Sequence, residues 1–302
     1  IGFLALCVAA GTGFQLNQMV NYKNLSDYQR DLIWQLVWRA PGLQSGTAIM
    51  AYSLPYQEYL TGNALTTELN WTYSDQQVSA DRKIDYAFIF LNSPQKSAVE
   101  ELSPNHEIVY DFRTYQFTGS TNNTLLISKR AEGCVRVSDD ALTPPKALVY
   151  MGSGDLFPKP LLDAAGISNL GLILADSAQK TPPAHLFGIE PPHTWCYFFE
   201  KADLARQVED YAQSYSLFKQ ASESGYYPQD LTEWYPFIDS ALHLGYFNEA
   251  AELSNNIIVN DSVVKYGVCR TWQNYLALLP AGSEVQKQAE DQISLMECSI
   301  TE

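Results

Sequence analysis

The chain has 302 residues, with 34 Asp or Glu against 19 Lys or Arg, a net charge of −15, and 46% apolar and 13% aromatic residues. That length accommodates two domains, and that apolar content supplies their cores. The acidity excludes nucleic acid as a partner, because phosphates demand a basic footprint; residues 195–302 alone hold sixteen acidic and six basic side chains, a net −10, and read as a solvated surface.

Residues 1–14, IGFLALCVAAGTGF, carry no charge. They are too few to span a bilayer alone, which takes about 20 residues, and they lack the basic n-region of a signal peptide. The economical expectation is the latter part of a transmembrane helix ending near Phe14, which makes the membrane a partner through residues 1–14. A buried core helix is the alternative. Leu6 stands where a lipoprotein signal places a small residue before its cysteine. Asn24-Leu25-Ser26-Asp27 is a cluster of cap residues, and Leu25, Tyr28, Leu32 and Leu36 share one helical face until Pro41-Gly42 stops the helix. Trp34 and Trp38, one turn apart, read as packing residues, with an interfacial aromatic belt as the alternative.

Thr47–Leu54 reads as a buried strand, Pro55–Leu69 as a helix, Asp85–Leu91 as a second buried strand and Lys96–Leu102 as a turn or two of helix. Glu107–Phe117 alternates as a strand does. Thr124–Lys129 and Cys134–Ser138 read as a hairpin around Gly133. Strands first separated by helical segments and then met in succession imply a mixed α/β sheet. Between Pro144 and Pro192 lie eight of the fifteen prolines, with two apolar runs, Ala147–Met151 and Leu170–Ala175, expected as edge strands.

The remainder reads as helical hairpins. Asp203-Leu204-Ala205, Tyr211 and Leu217 recur 36 residues on as Asp239-Ser240-Ala241, Phe247 and Leu253; Ala277 and Ala289 continue the Ala205 and Leu217 registers. Small residues then fall at helix crossings and aromatics at turns, the grammar of a helical repeat. Asp210 caps Tyr211–Ser224, Gly225 ends it, Asp230 or Thr232 opens a helix to Leu244, Gly245 breaks it before Asn248–Ile258, and Pro280-Ala281-Gly282 turns the third pair into Ser283–Cys298.

The sequence carries little catalytic chemistry. Gly152-Ser153-Gly154 is too compact for a nucleophile elbow, and no glycine-rich phosphate loop occurs. His193 and Cys196, at i, i+3, are two potential metal ligands, which make no site. Asp139-Asp140 follows a strand and reads as a turn cap beside an acid–base reading. His106 and Asp111 have no evident partner. No catalytic, cofactor or metal residue is assigned. Cys134, Cys196, Cys269 and Cys298 permit disulfides whose pairing spacing cannot fix, or buried thiols. Asn24, Asn70, Asn122 and Asn260 head glycosylation triplets.

Glu209-Asp210-Tyr211…Phe218…Ala221 resembles the second helix of a tetratricopeptide repeat, as does Gly245-Tyr246-Phe247…Ala250, with Trp234 at that family's first-helix tryptophan; Ser283 and Glu290 depart from the pattern in the third pair. Three further stretches, Trp34–Leu43, Leu69–Tyr73 and Trp195–Ala205, resemble the soluble C-terminal tails of bacterial polytopic membrane proteins, some of them similar to GT-C-type membrane glycosyltransferases. That resemblance covers nearly the whole chain and carries no catalytic motif. It implies an extracytoplasmic, membrane-tethered module that assists a protein partner or the parent membrane domain.

The expected organisation is therefore the end of a transmembrane helix over 1–15, an α/β domain over 16–143, a proline-rich connector over 144–192, and an all-α helical-hairpin repeat over 193–302. The expected role is a non-catalytic accessory or interaction module. The competing class is a carbohydrate-active or hydrolytic enzyme with a cleft between the two domains.

Overall fold

The computed structural model describes residues 2–52, 54–75, 81–93, 99, 101–130, 133–138, 163–258 and 262–298. Its first element is its longest. Helix α1 runs without interruption from Gly2 to Arg39. The boundary expected near Phe14 therefore does not break the helix, nor does the Asn24–Asp27 cluster begin a new one. Lys23 donates to Asp27 at 2.5 Å, an i, i+4 pair that supports continuation where capping was expected. Pro41 stops the helix, one residue after Ala40 closes the last bond to the Leu36 carbonyl.

The two halves of α1 meet different surroundings. Phe3, Leu4, Leu6, Val8, Phe14, Leu16, Met19, Val20 and Tyr22 are between 55% and 81% exposed, whereas Leu32 through Arg39 are all buried. An 18-residue window of the helix has mean hydropathy 1.3 and no buried share, suiting a bilayer span or a signal sequence by length and composition.

Strands β1 (Ala48–Ala51) and β2 (Ala87–Phe90) pair in parallel, joined through helix α2 (Gly62–Tyr73), whose N-cap Thr61 accepts from the Ala64 amide. The Pro55–Leu69 expectation was thus early by half a helix. Strands β3 (Glu107–Phe112) and β4 (Tyr115–Ser120) form an antiparallel hairpin, so the single run read over Glu107–Phe117 is two strands folded at Arg113-Thr114. Strand β5 (Thr124–Ser128) joins the other edge of β1 in parallel, and the short β6 (Arg136–Val137) pairs antiparallel with β5. The sheet order is β2-β1-β5-β6, a small mixed sheet.

Both faces of that sheet are covered, which is why its parallel strands read as unbroken apolar runs. Ile49, Ala51, Phe88, Phe90, Leu125 and Ile127 point at α1 and α2. Ala48, Met50, Ala87, Ile89 and Leu126 point the other way, at Ile108, Tyr110, Tyr115 and Phe117 of the hairpin and at Ile167. In the connector, Leu170–Leu172 forms a 3₁₀ turn and Ile173 a single bridge to Leu43, where an edge strand was expected; Ala147–Met151 lies outside the described residues.

After the one-turn helix α3 (Ala184–Phe187) come α4 (Trp195–Gln207), α5 (Tyr211–Glu223), α6 (Tyr235–His243), α7 (Phe247–Ile257), α8 (Ser262–Leu276) and α9 (Glu284–Leu295). Asp210 caps α5 through the Gln213 amide and Ser283 caps α9 through the Gln286 amide. Gly225, Gly245 and Gly282 all hold φ +77°; the first two are the left-handed turns that end α5 and α6, and Gly282 leads into the Ser283 cap of α9. These helices share a second core built on Trp195, Phe198, Phe218, Phe237 and Trp272.

The 36-residue register holds only in part. The second helices of the hairpins begin at 211, 247 and 284, close to an even step, but the first helices begin at 195, 235 and 262. A 3₁₀ turn over Leu231–Trp234 delays α6. Ala205, Ala241 and Ala289 are buried as expected, while Ala277 is exposed just past the end of α8. The small residue at that crossing is instead Gly267, where an added Cβ would collide with the Tyr235 ring.

Candidate functional site

The densest polar constellation among the described residues lies where α1, the β5–β6 connection, α4 and the 231–234 turn converge. Its residues come from chain stretches that otherwise read as core. Arg39, in the last turn of α1, is 1% exposed and donates through Nε to Asp203 Oδ2 at 2.9 Å. Arg206, one turn further along α4, donates to Asp203 Oδ1 at 3.0 Å and reaches Asp239 Oδ2 of α6 at 3.6 Å. Asp239 in turn stands 3.4 Å from His243, whose ring stacks on Tyr211. One chain of alternating charge thus ties α1 to α4 and α4 to α6.

Burial drives up the Asp203 carboxyl, but the Arg39 and Arg206 guanidiniums more than reverse this and hold it below its ordinary range. His243 shows the opposite balance: burial disfavours its charged form, and its bonds to Asp239 outweigh that and raise it.

Glu200 lies one turn before Asp203 on the same face of α4. It is fully buried, and neither carboxyl oxygen has a hydrogen-bond partner among the described residues; nor does Arg39 Nη1. Burial pushes the Glu200 carboxyl well above its ordinary range, neighbouring Asp203 and Glu233 push it further, and Arg39 and Lys129 oppose them. Burial at that position favours the protonated form of the carboxyl.

The β5–β6 connection is pinned against the same place by backbone capture. Glu233 accepts the Cys134 amide at 3.1 Å and the Trp195 indole at 2.6 Å. Gln35 of α1 accepts the Val135 amide at 2.7 Å. Lys129, whose side chain is fully buried, donates to the Gly133 carbonyl at 2.7 Å and pairs with Asp31 at 2.9 Å. Arg136 bonds the Thr232 hydroxyl and stands 3.6 Å from Asp230. A disulfide between Cys134 and Cys196 crosses the same junction, and a second joins Cys269 to Cys298; Cys7 is free and exposed.

This arrangement can bind and release a proton at Glu200 and hold charge in a fixed geometry. Its core members, Arg39, Asp203, Glu200 and Glu233, are closed to solvent and offer no substrate a surface. An open depression of about 540 Å³ near the start of β5 is lined by Pro104, Asn122 and residues 166–171, and its two asparagines are spent on neighbours: Asn122 donates to Asn105 and Asn169 to the Asn122 carbonyl.

The sequence-derived candidates separate. Cys196 is consumed by its disulfide, so His193 and Cys196 form no ligand pair; His193 stacks on Tyr197 with ring centroids 3.4 Å apart and meets Glu190. His106 lies 3.5 Å from Glu101 and Asp111 3.4 Å from Arg82, both at the surface. Asp139-Asp140 and Gly152–Gly154 lie outside the described residues. Among the described residues, no group of three or more His, Cys, Asp or Glu side chains is placed to hold a metal ion. Asn70 is structural: its side chain donates to the Thr66 and Tyr86 carbonyls and accepts the Asp85 and Tyr86 amides. No protein-family model, curated protein or solved structure matches this chain.

Sequence reading missed Glu200 and Arg39 as a pair. The available signal was one charge closing each of two aromatic runs, Trp34–Arg39 and Trp195–Glu200. A charge at a core-facing position is kept only when something compensates it.

Glu200→Gln removes the titration and keeps the shape. A carboxyl raised on folding contributes stability fully present below its unfolded value near 4.5 and lost as pH rises through the folded value. The wild type is therefore expected to lose about 1.4 kcal/mol per pH unit across that window relative to Glu200→Gln, which gains its advantage on the alkaline side. Urea midpoints for both proteins between pH 4 and 8 measure this. Parallel curves would show that Glu200 is ionised in the fold.

Proposed function

We propose that the chain is a membrane-anchored, extracytoplasmic accessory or interaction module without catalytic groups of its own. In this reading it is the tethered tail of a membrane protein of the GT-C glycosyltransferase-like kind, and its hairpins form a tetratricopeptide-like array facing a protein partner or the parent membrane domain. One observation carries the reading: a single helix leaves its apolar first half bare and sinks its second half into the core. Contiguous bare apolar surface of that extent marks an interaction site, and an uncharged helix suits lipid.

Two disulfides support an oxidising compartment. The near-even spacing of α5, α7 and α9 supports the array. The closed polar junction supports a scaffold role, since its buried charges fix how the layers sit and meet no substrate.

The test compares the full chain with one lacking residues 2–14. The full chain is expected to float with phosphatidylcholine vesicles through an alkaline carbonate wash, and the shortened one to stay in solution with its melting temperature nearly unchanged. A full chain left behind by the vesicles would overturn the reading. So would a fall of more than about ten degrees on deletion, since that means several kcal/mol of packing were lost.

A further inference from the structure

The parallel strands run back along α1 toward its bare half. At the amino end of β2 the Tyr86 hydroxyl donates to the Leu43 carbonyl, just past the C-terminus of α1. Beyond the carboxyl end of β2, Asn92 bonds Gln57 in the turn that follows β1. That turn, residues 54–60, lies against the part of α1 that is leaving the core: Tyr56 packs on Tyr28, with ring centroids 5.7 Å apart, and Tyr59 meets Tyr22 edge-on at 5.6 Å. Tyr56 holds φ +63°, a conformation that costs a tyrosine on the order of 1 kcal/mol, and it closes the turn by accepting the Tyr59 and Leu60 amides.

Tyr22 also marks a change in the helix itself. Residues 2–22 contain no Asp, Glu, Lys or Arg, and as helix these 21 residues extend about 31 Å, against a hydrocarbon thickness near 30 Å. Lys23 is the first charge. A tyrosine followed by a lysine is the pattern of a bilayer boundary, where the ring lies among headgroups and the ammonium reaches water. Tyr59 is fixed beside that boundary by contact with Tyr22, and both rings are exposed on their outer sides.

We infer that Tyr22, Tyr59 and the turn 54–60 form a lipid-contacting collar that seats in the headgroup region of a bilayer and turns the carboxyl ends of β1 and β2 toward the membrane. The inference rests on the anchoring reading above and adds the orientation. The occupant is lipid, because the collar is continuous with the bare apolar surface of α1 and its rings have the amphipathic character that interfaces select. Attraction to anionic lipid plays no part, since Glu58 and the chain's −15 oppose it.

The experiment uses the full chain with Cys7→Ser, an environment-sensitive fluorophore on Glu58→Cys or Ser224→Cys, and phosphatidylcholine vesicles with and without shallow brominated lipid. Glu58 is exposed at the collar and Ser224 is exposed at the end of α5, so neither label removes a packing residue. The expected result is a blue shift and bromine quenching at 58, neither at 224, and a smaller shift at 58 when Tyr59→Ser is added. Protein that floats with the vesicles while both labels report water overturns the collar and leaves the anchor standing. Protein that does not float overturns the anchor itself. A shift at 58 that grows with protein density at fixed lipid, without bromine quenching, assigns the surface to a second copy and also overturns the collar.

Discussion

Arg39→Met is expected to lower the free energy of unfolding by about 3–5 kcal/mol, the cost of leaving a buried carboxylate without its cation. Asp203 is 8% exposed and two guanidiniums together hold its carboxyl below its ordinary range, so removing one leaves burial less opposed. Arg206 cannot replace Arg39, because it already spans Asp203 and Asp239. The expected signature is a lower urea midpoint with an unchanged slope, and a loss that shrinks in acid as Asp203 takes up a proton. Asp203→Leu added to Arg39→Met should recover much of the stability, since a pair replaced on both sides by apolar groups is often neutral. If the single variant unfolds within 1 kcal/mol of the wild type, the Arg39–Asp203 pair is not what joins α1 to α4.

Opening the Cys134–Cys196 disulfide has the other large effect. It closes a chain separation of 62 residues, for which loop-closure entropy gives about 4 kcal/mol. It also holds the β5–β6 connection against α4, where Glu233 captures the Cys134 amide and the Trp195 indole. Cys134→Ser with Cys196→Ser is expected to lower stability by about that amount, and reduction of the wild type, which opens both bridges, should lower it further. The second bridge closes 29 residues and lies within the last hairpin, so its loss should be smaller and confined to α8 and α9. A wild type equally stable before and after reduction would show that neither bridge constrains the unfolded chain.

The parts of the fold legible in the sequence are those where local chemistry and tertiary contact agree. β1 and β2 were visible as apolar runs because both of their faces are covered. Asp210 and Ser283 cap where cap residues should, and Gly225 and Gly245 end helices through a conformation glycine adopts freely. Elsewhere contact overrode the local signal. Asn24–Asp27 has cap chemistry, yet α1 passes through it, held by Lys23 and Arg30 on Asp27 and by Leu25 and Tyr28 in the core. Arg113-Thr114 turns β3 into β4 with no glycine, asparagine or proline to announce it.

The helical register failed at its third step because crossing geometry, not spacing, selects the small residue. Gly267 faces Tyr235 while Ala277, the residue the period pointed to, lies past the helix end. The polar junction was least legible of all. Glu200, Glu233, Lys129 and Arg39 are scattered over more than a hundred residues, and only the topology makes them neighbours. The cysteines illustrate the same limit, since spacing allowed several pairings and the sheet–helix junction selects one.

Between Phe14 and Ala40 the first helix contains neither glycine nor proline. It therefore lacks the two residue types at which helices most often kink, and its two halves form one continuous rod. Trp38 and Arg39 stand on the same unbroken hydrogen-bonded helix as the bare half, so the azimuth of one half fixes that of the other. The relation is set by helical geometry: one residue inserted after Lys23 would turn the bare half by about 100° and lengthen the rod by about 1.5 Å relative to the sheet.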